Sequence, residues 1–278
     1  MKLATLRLGG TTVAARIDDN RTATVIPGVR DLSALLADPD WRAVADAADG
    51  ASQTGHTVDL SAADYAPVVP RPGKVICVGL NYATHIAEMN RESPEFPTLF
   101  AKFAESLTGP YDDVVIPAYA AEALDWEAEL AVIIGKQARQ VAEQDAAKYI
   151  AGYSVVNDYT MRDYQFRSIQ WDQGKWFEKT TGFGPVLDTD YVPGTRIEAR
   201  LDGELMQSAT TDDLVFGPER LVHYISQIVT LQPGDVICTG TTGGVGHART
   251  PARYIQDGQT IEVTVEGIGS VRNKTIIK

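Results

Sequence analysis

Three acids on alternate positions open the segment DWEAELAVIIGKQ: Asp125, Glu127 and Glu129, followed at once by a continuous apolar run. On a strand, side chains alternate faces with period two, so the three carboxylates point the same way. Like charges so placed repel, and burying them is costly without compensation. Either they lie on a solvated strand edge, or a cation gathers them. A hard divalent ion such as Mg²⁺ or Mn²⁺ takes two or three carboxylates and keeps positions open for substrate. Glu127 and Glu129 supply two ligands, and Asp158, at the end of the apolar run in VVNDYT, is the best third. Asp125, one step nearer the loop, is a weaker candidate.

Other residues carry complementary chemistry. His85 and Glu88 in NYATHIAEMN stand at i and i+3, neighbours on a helix face, and a carboxylate beside an imidazole fixes its tautomer and raises its basicity. Lys102 interrupts the apolar alternation of LFAKFA, and Lys175 stands in GKWFEKTTGFGP. Arg162 and Gln165 share a helix face. Each alone reads as ordinary surface. Together they match the needs of a dianionic oxo acid.

These residues need elements to position them. VICVGL (75–80) reads as a buried strand leading into the His85 helix, TLFAKFA (98–104) alternates, LAVIIG (130–135) is a core strand, and GYSVVNDYT (152–160) is another. TRIEARLDGELMQSA (195–209) reads as a hairpin turning at Asp202-Gly203, and PERLVHYISQIVTL (218–231) as an amphipathic helix with proline in its first turn. Ahead of these, residues 2–28 read as short strands around Gly9-Gly10, and 31–48 as helix broken near Pro39. The stretch from Gly50 to Gly73, rich in Gly, Ser, Ala and Pro, reads as a linker. Strands dominate without regular βαβ alternation, which predicts an α+β fold with a rolled or sandwiched sheet. The boundary is expected at residue 70, giving domains 1–70 and 71–278.

Composition narrows the partners. A formal net charge of −12 with no basic run argues against nucleic acid and anionic membranes, and no apolar stretch reaches the ~20 residues of a membrane helix. Cys77 and Cys238 sit in apolar strands as small hydrophobes rather than a disulfide framework, so a cytoplasmic location is the expectation. A dinucleotide site at GTTGGVG is not expected, because no amphipathic helix follows to receive a pyrophosphate.

In order along the chain, KVICVGLNYATHIAEMN, DWEAELAVIIGK, GYSVVNDYTMRDYQ, GKWFEKTTGFGP and PGDVICTGTTGGVG resemble the successive motifs of the fumarylacetoacetate hydrolase family, over about residues 71–278. Residues 1–70 look like the small N-terminal α/β domain that many bacterial members carry. The resemblance implies a mostly-β mixed roll, a homodimer, and Mg²⁺ or Mn²⁺ held by Glu127, Glu129 and Asp158. It implies His85 and Glu88 as a catalytic pair on a lid helix, Lys175 rather than Lys179 as the catalytic lysine, and Arg162, Gln165 and Thr241 at the substrate. Lys102 joins that substrate set. Gly182 and Thr242 stand where many members have proline, which bears on loop shape.

The activity so implied is hydrolysis of a C–C bond in a 2,4-dioxo acid, with fumarylpyruvate from aromatic catabolism as the particular expectation. His85, oriented by Glu88, would activate the water. The alternative is oxaloacetate decarboxylation, or tautomerisation or isomerisation of a 2-oxo acid, at the same site without an attacking water. A non-enzymatic metabolite-binding protein is a third reading, disfavoured by the complete residue set. EMNRESPEFP, with its charges and two prolines, is expected to be a mobile lid around residues 85–95.

Overall fold

The computed structural model describes residues 1–48, 56–89 and 91–278. Asp49, residues 50–55 of the expected linker and Asn90 of the expected lid lie outside the described residues.

The fold is mostly β, as expected. The longest sheet runs, by hydrogen-bonded neighbours, through Thr57–Asp59, Thr22–Val25, Thr11–Ile17, Lys2–Leu8, Thr181–Asp188, Ile150–Asn157, Ala128–Ile134, Val236–Thr241, Val75–Gly79 and Thr98–Lys102. A second sheet orders Glu204–Thr210, Arg196–Leu201, Thr260–Val265, Gly269–Ile277 and Val114–Ile116. The predicted hairpin is its edge, and Asp202 and Gly203 both take positive φ, as a tight two-residue turn requires.

The strand Ala128–Ile134 is buried at every position, and its alternation explains how the layers stack. Leu130, Val132 and Ile134 join a core shared with Ile197, Val263 and Val271 of the second sheet. Ala131 and Ile133 face the opposite way, into a core with Leu35 and Trp41 from the helices Leu32–Leu36 and Trp41–Asp46. Buried on both faces, the strand is apolar at every position except Glu129, whereas the second sheet, with one face to water, alternates. The predicted break near Pro39 separates these two helices. The first strand pairs antiparallel with Thr181–Asp188, so the N-terminal strands extend the long sheet. The division at residue 70 stands as a proposal.

Gly182 is placed within the strand Thr181–Asp188, not in a loop: a Cβ there would lie 2.1 Å from Asn273 Oδ1. The close packing of a buried asparagine accounts for the glycine. No helix among the described residues is long and apolar enough to cross a membrane.

Strand direction assembles the site. Val236–Thr241 runs parallel to Val75–Gly79 and antiparallel to Ala128–Ile134, which in turn runs antiparallel to Ile150–Asn157. The C-terminal ends at Gly79, Asn157 and Thr241 therefore meet the start of the glutamate strand at one edge of the sheet.

Candidate active site and metal centre

The register sets the acids side by side. Ala128 pairs with Asn157 and Glu129 with both Val156 and Thr241. The Asp158 N–H donates to the Glu127 carbonyl at 2.9 Å, tying the third acid to the first. Glu127, Glu129 and Asp158 are all buried, and each offers a carboxylate oxygen within 4.8 Å of the others.

Three cations are buried with them. Lys175 Nζ donates to Glu127 Oε2 at 2.7 Å, Asp158 Oδ2 at 2.8 Å and Thr160 Oγ1 at 2.7 Å, which engages all three of its protons. Burial works to lower the Lys175 pKa, but Asp158 and Glu127 outweigh it and hold the ammonium firmly charged. Lys102 Nζ donates to Asp158 Oδ1 at 2.6 Å. Although expected at the substrate, Lys102 is thus bonded to the acid, and it is not among the residues lining the pocket. Burial pushes the Asp158 pKa up, and the two lysines more than reverse this, leaving it below its ordinary value. Arg162 Nε donates to Asp125 Oδ2 at 2.8 Å, and its Nη2 lies 2.8 Å from Glu127 Oε1. Arg162 Nη1 donates to Gln165 Oε1 at 2.9 Å, which leaves the Gln165 amide N–H group as a donor on the pocket wall.

Glu129 is the exception. It accepts the Gly240 N–H at 2.9 Å and pairs with no cation among the described residues. Burial, then Asp158, Cys238 and Glu127, push its carboxyl well above the usual range. The lysines and the arginine offset Asp125, Glu127 and Asp158, and one buried carboxylate is left over beside two others. A surplus of negative charge among convergent oxygens fits a divalent cation, whose ligand preference is oxygen. A solvated edge is not what the acids form.

Asp125 has a different task. Fully buried, and placed in the short strand Leu124–Asp125 ahead of the glutamate strand, it accepts the N–H groups of Trp126, Gly246 and His247 as well as Arg162 Nε, so it anchors the loop after Thr241. The weak ligand candidate is a loop anchor. Thr241 lines the pocket and its Oγ1 accepts from Gln207 Nε2 at 2.8 Å. Gln207, on the hairpin strand Glu204–Thr210, also donates to the Thr242 carbonyl and accepts the Ala128 N–H. One buried amide thus fixes both the threonine and the glutamate strand. Nothing in the sequence of the hairpin marked it.

The helix Ala83–Glu88 lies over the pocket with His85 nearly buried. His85 Nδ1 is 3.2 Å from Glu88 Oε2, and both Glu88 oxygens are 3.0 Å from the Gly244 N–H. The carboxylate is occupied on one side by backbone and on the other by the imidazole, which leaves His85 Nε2 as the free basic atom. His85, Glu127, Glu129, Arg162, Gln165, Lys175 and Thr241 line one pocket, with Phe100, Trp171, Arg91 and His247 completing its wall. Arg91 and His247 were not singled out in the sequence, since neither carries a spacing signal. Lys179 is exposed and lies off the pocket.

Known proteins share this arrangement of motifs. Residues 74–276 match the family model described as fumarylacetoacetate (FAA) hydrolase C-terminal. A mitochondrial oxaloacetate tautomerase of Rattus norvegicus is 43% identical over 216 residues, which span 76% of this chain and 68% of that one. Among solved structures, a fumarylacetoacetate hydrolase from Exiguobacterium antarcticum superposes with a TM-score of 0.89 at 32% identity, each chain covered fully. A 5-carboxymethyl-2-hydroxymuconate delta-isomerase from Mycobacterium smegmatis gives 0.82 at 30% identity, covering 100% of this chain and 99% of the other. The cytoplasmic expectation is corrected here, because the rat relative and those of Bos taurus and Homo sapiens are described as mitochondrial. Two reduced cysteines argue only against an oxidising compartment, and do not distinguish one reducing compartment from another.

Proposed function

The chain belongs to the fumarylacetoacetate hydrolase family, and from that premise we propose that it is a divalent-ion-dependent 2-oxo acid tautomerase acting on oxaloacetate. The observation that carries this reading is the single free imidazole nitrogen of His85 in the pocket that Glu127 and Glu129 of the carboxylate triad also line. Proton transfer next to a carbonyl needs one positioned base and one electrophilic centre; His85 is the base, and the acids are those that would hold a polarising ion. Similarity to oxaloacetate tautomerases supports it over the C–C hydrolysis of fumarylpyruvate expected from the dyad.

Glu127, Glu129 and Asp158 would hold the ion, Mg²⁺ or Mn²⁺. Bound there, it supplies Lewis-acid polarisation of the 2-oxo acid. The chain's own residues do the rest. His85 takes the C3 proton of the keto form, with Glu88 fixing its tautomer. Gln165 donates to the carbonyl oxygen as it gains charge, and Thr241 donates to the substrate carboxylate while Gln207 fixes its orientation. Lys175 holds Glu127 and Asp158 in place, and reaches the substrate oxygen only by releasing one of its three bonds. Return of the proton to oxygen completes the enol.

His85→Ala tests the base. Oxaloacetate tautomerisation should fall about 10²–10⁴-fold, while Mn²⁺ binding, read by calorimetry, stays at the wild-type value. An unchanged rate would remove His85 from the mechanism. Wild-type release of pyruvate from fumarylpyruvate would return the reading to hydrolysis.

The homodimer is proposed as well. Val115, Tyr119 and Trp176 line one exposed hollow, and Phe103 packs on Trp176 with ring centroids 5.0 Å apart. An exposed cluster of this kind marks a contact surface. Trp176→Arg should shift the protein from dimer to monomer in light scattering; an unshifted mass places the interface elsewhere.

A further inference from the structure

We infer that Arg91 forms a second anion subsite in the pocket, which receives the distal carboxylate of a dicarboxylic 2-oxo acid and so sets specificity for oxaloacetate over monoacids. The inference rests on the proposed binding of the first carboxylate beside the triad. Of the pocket's guanidinium and ammonium groups, Arg162 is paired with Asp125 and Glu127, and Lys175 with Glu127 and Asp158. Arg91 lines the same pocket and makes no ion pair or side-chain hydrogen bond among the described residues. Its side chain is exposed, so it carries its charge without a desolvation cost. Its backbone N–H donates to the Ile86 carbonyl at 3.1 Å, which sets it at the end of the helix that carries His85.

Charge matching gives this uncommitted cation its role. With a divalent ion at the triad, the buried core carries an excess of one positive charge, which one carboxylate neutralises. Oxaloacetate brings a second carboxylate, and the remaining fixed cation on the wall is Arg91. His247 adds no fixed charge, because burial and then Arg162 hold its pKa below the ordinary value and its Nδ1 lies 3.1 Å from the Tyr254 hydroxyl. A guanidinium takes a carboxylate with two parallel N–H bonds, which is stronger and more directional than a lysine contact.

The test is binding, separate from turnover. 3,3-Dimethyloxaloacetate keeps both carboxylates but has no C3 proton to lose, and pyruvate lacks the distal carboxylate. Both are titrated calorimetrically into wild-type, Arg91→Ala and Arg91→Lys protein with Mn²⁺. Wild type should prefer the dicarboxylate. Arg91→Ala should weaken that ligand about tenfold or more and leave pyruvate unchanged, with Arg91→Lys recovering part of the loss. A wild-type protein without the preference, or an Arg91→Ala protein that keeps it, overturns the subsite. Should the preference behave as stated while oxaloacetate is not tautomerised, the tautomerase reading fails and the subsite stands.

Discussion

Glu129→Gln should make the ion-free protein more stable and the enzyme nearly inactive. Glu129 is the one acid of the cluster without a cation, buried against two other carboxylates, so removing its charge relieves repulsion and desolvation. The glutamine oxygen can still accept the Gly240 N–H, which preserves the local hydrogen bond. Melting of the chelated protein should rise by about 2–4 °C, the shift that ~1 kcal/mol gives in a chain of this size. The stabilisation that Mn²⁺ confers on the wild type should largely vanish, with tautomerisation falling about 10²–10³-fold as the polarising charge is lost. Opposite signs for stability and activity are the signature of an ion site. Were Glu129 part of a satisfied ion pair, the substitution would lower the melting temperature instead.

Lys175→Met should cost on both counts. The ammonium is buried and bonded to Glu127, Asp158 and Thr160, and its removal leaves two buried carboxylates each with one fewer partner. Breaking a buried pair from one side typically costs about 3–5 kcal/mol. The loss should exceed that for Lys175→Arg, which restores the charge but not the three-pronged geometry. Activity should drop about 10²–10³-fold even under conditions where the variant is folded, because Glu127 and Asp158 lose the group that aligns them. Denaturant midpoints and calorimetric Mn²⁺ binding check the two effects separately, and a variant of wild-type stability would contradict the network.

What the sequence made legible was local. The spacing of Glu127 and Glu129, the acid ending VVNDYT, the i, i+3 pair on the His85 helix and the Asp202-Gly203 turn are all short-range patterns. Glu127 nonetheless sits just before the strand Ala128–Ile134, and Asp125 in the separate short strand Leu124–Asp125, not on one strand with Glu129. Contacts across the chain were not legible. Asp125 shared the spacing of the two glutamates, yet it anchors Gly246 and His247, residues 121 and 122 positions away. Gln207 reaches Ala128 and Thr241 from another sheet, and polar residues on a hairpin ordinarily face water. Lys102 stands out in the sequence as a charge in an apolar strand, but only the three-dimensional fold shows that Asp158 receives it. Arg91 is distinguished by what it does not touch, and no one-dimensional pattern records that.

The reading as a tautomerase turns on one measurement: the approach of oxaloacetate to its keto–enol equilibrium, followed in the enol absorbance, with purified protein that is first chelated and then supplied with Mn²⁺ or Mg²⁺. Relaxation should be accelerated only when the ion is present, in proportion to enzyme, with no pyruvate formed beyond the spontaneous rate. Relaxation at the uncatalysed rate in the ion-loaded enzyme, or pyruvate appearing in step with enzyme, would contradict it.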